Sequence, residues 1–205
     1  MLATGPIPRY AQCDMSNNLI QFCRFPLKSL ITLGLVLLVA PLTGSAAPAP
    51  GKKVAITNLD FEKDLDGWKN AKSGAAMVTV SAASGHEGKG VQVDDADATL
   101  NARVTSDKAP ATSGKTYEVH FYGRTVGGAK GVAGYLVFYG NDGKPLPPDP
   151  AGNNYKDVSP FTEWTEATLS AIAPADTVSV GVEIRSNKAS ITKGEFDDFK
   201  VYELP

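Results

Sequence analysis

The sequence predicts an all-β fold, a β-sandwich or jelly roll. Three observations carry the prediction: about nine short alternating or β-branched runs, glycine-bearing turns between them, and no helical period longer than two turns. The runs are Val54 to Thr57, Met77 to Ala82, Gly90 to Val93, Ala98 to Ser106, Thr116 to Val126, Val132 to Tyr139, Thr165 to Ile172, Thr177 to Arg185 and Phe196 to Glu203. The turns "SGHEGKG", "TSGK", "VGGAKG" and "GNDGKP" supply glycine where φ must be positive.

Ahead of the first run the chain reads as a targeting segment. Arg24 and Lys28 precede an apolar run from Leu30 to Ala40, and Pro41 and the small residues "TGSAAPAP" follow. That is the order of a secretory signal peptide, with cleavage expected after Ala46 and Met15 as an alternative start. The apolar run is shorter than the roughly 20 residues that cross a bilayer, so no membrane span is expected after cleavage.

Residues 1–46 are therefore signal, 47–53 a flexible leader and 54–205 one domain of a chain of 205 residues. Both cysteines, Cys13 and Cys23, fall in the signal, so the domain is expected to hold together without disulfides in a secreted, periplasmic or extracellular setting. A net charge of −2 favours neither nucleic acid nor an anionic membrane as partner. Between the strands, "KPLPPDPAGNNYKDVSP", Lys144 to Pro160, is too rich in proline for a central strand and reads as a long surface loop.

Strand parity separates core from surface. In "KTYEVHFYGRTV", Tyr117, Val119 and Phe121 fall on one side and Glu118, His120, Tyr122 and Arg124 on the other. In "VAGYLVFYG", Leu136 and Phe138 are core positions and Tyr135, Val137 and Tyr139 face out; in "TVSVGVEIR", the valines and Ile184 are core, with Glu183 and Arg185 outside. If the three strands share a sheet, one face collects His120, Tyr122, Arg124, Tyr135, Tyr139, Glu183 and Arg185. Tyrosine rings stack on the C–H faces of a pyranose, while Arg, Glu and His pair with its hydroxyls. Gly134 and Gly181 would let a chain lie close to the sheet, and Tyr155 and Asn153 would wall one side. Trp68 and Trp164 read as packing residues.

The motifs "NLDFEKDLDGW", "GHEGKGVQV", "ATSGKTYEVHFYGR", "FYGNDGKPL", "FTEWTEATLSAIAPADTVSVGVEI" and "GEFDDFKVYEL" stand in an order that resembles CenC-type carbohydrate-binding modules of the galactose-binding-like superfamily, over Val54 to Leu204. The resemblance implies a two-sheet jelly-roll β-sandwich and non-catalytic binding of a poly- or oligosaccharide by a monomeric module of the kind appended to glycoside hydrolases. It also implies a structural calcium held by Glu62 and Asp197, with Asp60 and Asp64 as additional candidate ligands. Calcium takes six to eight oxygen ligands, so carboxylates from the two ends of a disulfide-free domain suit it.

No phosphate loop, nucleophile elbow or HExxH motif occurs. Two catalytic readings stay open: Glu118 and Glu183 as the carboxylate pair of a glycoside hydrolase, and His120, Tyr122 and Arg124 as the proton-transfer and charge-neutralising groups of a polysaccharide lyase. A third alternative is a cell-envelope protein-interaction or adhesion domain whose outward Tyr and Arg anchor a protein partner.

Overall fold

A computed structural model describes residues 51–71, 77–81, 84–128, 131–148, 154–187 and 191–205. The signal segment, residues 47–50 of the leader and Asn153 lie outside the described residues.

Among the described residues, twelve strands form two antiparallel sheets. In chain order they are β1 (Lys52–Lys53), β2 (Trp68–Ala71), β3 (Met77–Ser81), β4 (Gly90–Asp95), β5 (Arg103–Ser106), β6 (Ala109–Pro110), β7 (Thr116–Gly128), β8 (Val132–Tyr139), β9 (Tyr155–Asp157), β10 (Thr165–Ile172), β11 (Ser179–Ser186) and β12 (Thr192–Glu203). The first sheet runs β10-β7-β12-β4-β3, and β1 pairs with the end of β12; the second runs β2-β5-β11-β8-β9, and β6 pairs with the start of β11. The fold class expected from the turns and runs is therefore the one observed. Where strands differ, the reasons are local. Val54 to Thr57 is not a strand, because pairing with the last strand is made two residues earlier, Lys52 opposite Glu203 and Lys53 opposite Tyr202. The end of the supposedly flexible leader is thus part of a sheet. Within the proline-rich loop, Tyr155–Asp157 pairs with Ala133 to Tyr135 as a short edge strand, where proline-free residues can complete a ladder.

The core lies between the sheets. Tyr117, Val119 and Phe121 of β7, Leu136 and Phe138 of β8, and Val180, Val182 and Ile184 of β11 are buried, as their parity demands. Phe121 stacks on Phe199 with ring centroids 4.7 Å apart. Phe61 stacks on Trp68, also at 4.7 Å, and the Trp68 indole N–H donates to the Asn58 carbonyl at 2.8 Å. Such aromatic pairs contribute about 0.5–1.5 kcal/mol beyond area burial.

Two features of this core set up the sites on its outer faces. The segment 58–66 turns sharply, with Asn58, Phe61 and Asp64 at φ of 51°, 55° and 55°. A phenylalanine in that region is strained; its ring is fully buried, and the Asn58 side chain holds the turn through bonds to the carbonyls of Asp64 and Asp66 and the N–H of Lys63. In β12, the register against β7 shifts between Asp197 and Lys200, with Asp198 at φ 54°. The bulge lets both Phe196 and Phe199 enter the core.

Candidate functional site

The three strands expected to share a face do not share a sheet. β7 belongs to the first, and β8 and β11 to the second. His120, Tyr122 and Arg124 therefore stand on the outer face of one sheet, and Tyr135, Tyr139, Glu183 and Arg185 on the outer face of the other. Parity assigned each residue the correct side of its own strand; the grouping into one surface fails because β7 and β8, consecutive in sequence, separate into opposite layers.

On the first face each candidate already has a partner. His120 Nε2 lies 2.8 Å from Glu118 Oε1, and its Nδ1 lies 3.6 Å from Glu166. The Ser170 hydroxyl, and then His120, hold the Glu118 carboxyl below the usual carboxylate range. Arg124 forms a bond of 2.7 Å with Glu195 and sits 4.7 Å over the Trp164 ring, so Trp164 packs at the sheet edge as expected. Tyr122 is covered: the His86 ring stacks on it with centroids 3.7 Å apart and planes 6° apart.

The loop 84–90 that delivers His86 also joins the two ends of the domain. Its His86 and Glu87 N–H groups donate to Asp197 Oδ2 at 2.8 and 3.0 Å, and its Lys89 N–H donates to Glu62 Oε1 at 2.7 Å. A Cβ at Gly88 would collide with that Glu62 oxygen, so the loop approaches Glu62 only because glycine stands there. Asp197 is fully buried, and burial pushes its carboxyl up to about 6 against the pull of the three N–H groups it accepts. The donor set fits calcium in part. Two carboxylates converge on one loop, and among the described residues Asp197 Oδ1 accepts only the Asp198 N–H, at 2.7 Å, which leaves a lone pair. Among the described residues no three His, Cys, Asp or Glu side chains converge as a metal site, so the remaining ligands would be backbone carbonyls. Asp64 is instead engaged by the Lys89 ammonium at 2.8 Å.

On the second face the strands form the floor of a groove of about 720 Å³, lined by Ile56 and Thr57 on one side, by Lys69, Arg103, Thr105 and Glu183 along the floor, and by Lys108, Tyr139 and Pro145 toward one end. Register explains the row: Lys69 stands opposite Thr105, Thr105 opposite Glu183, Glu183 opposite Tyr135, and Tyr135 opposite Tyr155. Glu183 is only 6% exposed and lies between two guanidinium groups, Arg103 at 3.4 Å and Arg185 at 3.5 Å. Arg185 in turn lies 4.4 Å over the Tyr135 ring, which stacks on the exposed Tyr155 ring.

Tyr139 faces outward but is buried beneath the Lys108 ammonium, 3.6 Å from its ring centroid. Burial, with the Glu183 charge adding to it, pushes its phenol up to about 12. Gly181 faces this side, where a Cβ would stand 3.3 Å from the Asp107 carbonyl. Gly134 does not: its missing side chain makes room for the Phe121 ring on the core side, where a Cβ would come within 2.9 Å.

Arg103, Lys69 and Lys108 complete this groove and were not among the sequence candidates. The signal for Arg103 lies in its alternation with the core residues Ala102 and Val104 in "ARVTS", which sets it on the outer face. The expected hydrolase pair does not form: Glu118 and Glu183 stand on the outer faces of opposite sheets. Packed sheets are themselves about 10 Å apart, beyond the separation a carboxylate pair uses.

No family model matches the sequence, and no curated protein matches it. Solved structures do match. A family 16 carbohydrate-binding module matches with a TM-score of 0.54 at 16% identity, covering 72% of this chain and 99% of that one. The CBM22-1–GH10 modules of the Clostridium thermocellum endo-1,4-beta-D-xylanase 10B, complexed with xylohexaose, match with a TM-score of 0.54 at 21% identity, covering 75% of this chain and 29% of that one. The enzymatically active domain of the bacteriophage CBA120 tailspike protein 4 matches with a TM-score of 0.59 at 8% identity over 74% of this chain, which spans only 21% of that domain's chain. In architecture and strand layering, the chain has the β-sandwich fold of carbohydrate-binding modules.

Proposed function

We propose that this protein is a secreted, monomeric, non-catalytic carbohydrate-binding protein of the CenC type, and that it takes a poly- or oligosaccharide in the groove on the outer face of the second sheet. The observation that carries this reading is the groove itself. Its floor carries the buried Glu183 and Arg103, and beside it on the same sheet face lie Arg185 and a stacked tyrosine pair whose outer ring, Tyr155, is 51% exposed. Sugar recognition uses that combination of an aromatic plane with fixed donors and acceptors at its edge.

Glu62 and Asp197 are the candidate calcium ligands that accompany this reading, because both carboxylates hold the 84–90 loop and so connect the opening and closing motifs of the domain. Bound calcium would supply charge compensation for the buried carboxylate.

Isothermal titration against soluble glycans, including xylohexaose, tests the function. Saturable binding that weakens about tenfold in Tyr155→Ala, as expected from losing one stacking plane, supports it; retained affinity in that variant, or no heat with any glycan, sinks it. The calcium reading is tested by melting the protein in EDTA and in millimolar calcium, and an unchanged Tm rejects it.

A further inference from the structure

We propose that the glycan taken by this groove is acidic, a chain bearing uronate carboxylates that are gripped by the guanidinium forks of Arg103 and Arg185. The inference rests on the reading of the groove as a glycan site and adds the chemical class of its ligand.

Charge makes the case first. Lys69, Arg103 and Lys108 line the groove against Asp107 and Glu183, and Arg185 adds a further cation, opposite Arg103 in the β5–β11 register. The chain as a whole is slightly acidic, at −2, so this cationic excess is local. Asp157, at the β9 edge of the same face, is turned to its own loop, where Oδ1 accepts the N–H and hydroxyl of Ser159.

Hydrogen-bond capacity makes it second. Glu183 is buried, with one oxygen toward each arginine; it orients the forks and does not saturate them. Two guanidinium groups carry about ten N–H donors between them, and one carboxylate accepts at about four sites. The arginine side chains are 39% and 31% exposed, so the surplus donors are within reach of a ligand. A planar carboxylate matches a planar fork in a bidentate pair. Position makes it third: Arg185 already lies over the Tyr135 ring that backs Tyr155. A chain anchored by a sugar ring on Tyr155 therefore reaches Arg185, two strand spacings or about 10 Å away, with a residue further along the chain.

The test is titration of the protein with hexamers of galacturonate, mannuronate and guluronate, each beside its fully methyl-esterified form, and with xylohexaose and a sulfated hexasaccharide as neutral and non-carboxylate arms. At least one uronate hexamer is expected to bind about tenfold or more tighter than its ester, as loss of a charge-assisted bidentate contact implies. That preference should fall as salt rises from about 0.01 M to about 0.15 M. Arg185→Lys keeps the charge that Glu183 needs but removes the fork, and should lose about tenfold more on the uronate than on the ester. Lys69→Gln, at an 84% exposed side chain 4.0 Å from Asp107, should lose about threefold on the uronate alone.

Esters or xylohexaose binding as tightly as the uronates would overturn the acidic assignment and leave the glycan site standing, as would tight binding confined to the sulfated arm. Absence of binding to every glycan would overturn both.

Discussion

Asp197 gives the most quantitative prediction. Its carboxyl stands at about 6 in the folded protein, against 3.8 for an ordinary aspartate, a difference of roughly 2 pH units that corresponds to about 3 kcal/mol. The sign follows from proton counts. Between pH 4 and pH 6 the folded state holds the Asp197 proton more tightly than the unfolded chain does, so raising the pH takes a proton from the native state at a cost. Without a cation, the contribution of Asp197 to stability is therefore greatest below about pH 4 and falls by about 3 kcal/mol as pH passes through 6.

The assay is urea unfolding in EDTA at a series of pH values from about 4 to 7, for the wild type and Asp197→Asn. The variant loses accepted N–H bonds at every pH, a constant offset that leaves the slope of the difference unchanged, while the pH dependence of all other groups cancels on subtraction. The wild-type advantage should shrink with rising pH by the amount above, and saturating calcium should flatten the difference if Glu62 and Asp197 share an ion. An advantage that stays level or grows toward pH 7 in EDTA would refute the claim that burial outweighs the three N–H donors.

Other expectations follow from single contacts. Asn58→Ala removes three bonds that hold the turn around Phe61, and should cost about 2–3 kcal/mol in urea melts. Gly134→Ala drives a methyl group into the Phe121 ring and should cost about 1–3 kcal/mol while leaving the outer face unchanged in a glycan titration. Alkaline ultraviolet titration should find a tyrosine ionising near 12 that is absent from Tyr139→Phe, and Glu183→Gln should lower its pKa by removing the nearby negative charge.

Much of the sandwich was legible because parity within a strand is a local property. Tyr117, Val119 and Phe121 are core for the reason that their spacing gives, and the bounds of β8 and β10 coincide with the sequence reading. Which strands become neighbours is not local. The "VGGAKG" stretch marks a turn but carries no sign of whether the chain folds back into its own sheet or crosses to the other, and the single-face assignment failed at that point.

Exposure was likewise hidden. Tyr135 and Tyr139 face outward yet are buried, covered by Tyr155, Arg185 and Lys108 from distant parts of the chain. Asp197 is buried for a reason that alternation does not carry: the bulge at Asp198 breaks the parity between Asp197 and Phe199, and what covers the carboxylate is the 84–90 loop.

The pairing of Lys52–Lys53 with Tyr202 and Glu203 places the first and last described strands side by side in one layer, while the groove lies on the far side of the other. An engineered chain in which residue 205 is linked back to Gly51 and new ends are opened at the exposed Gly114 turn keeps every strand pairing. A support coupled near Lys52 or Glu203 would hold the sandwich with its groove directed away from the surface.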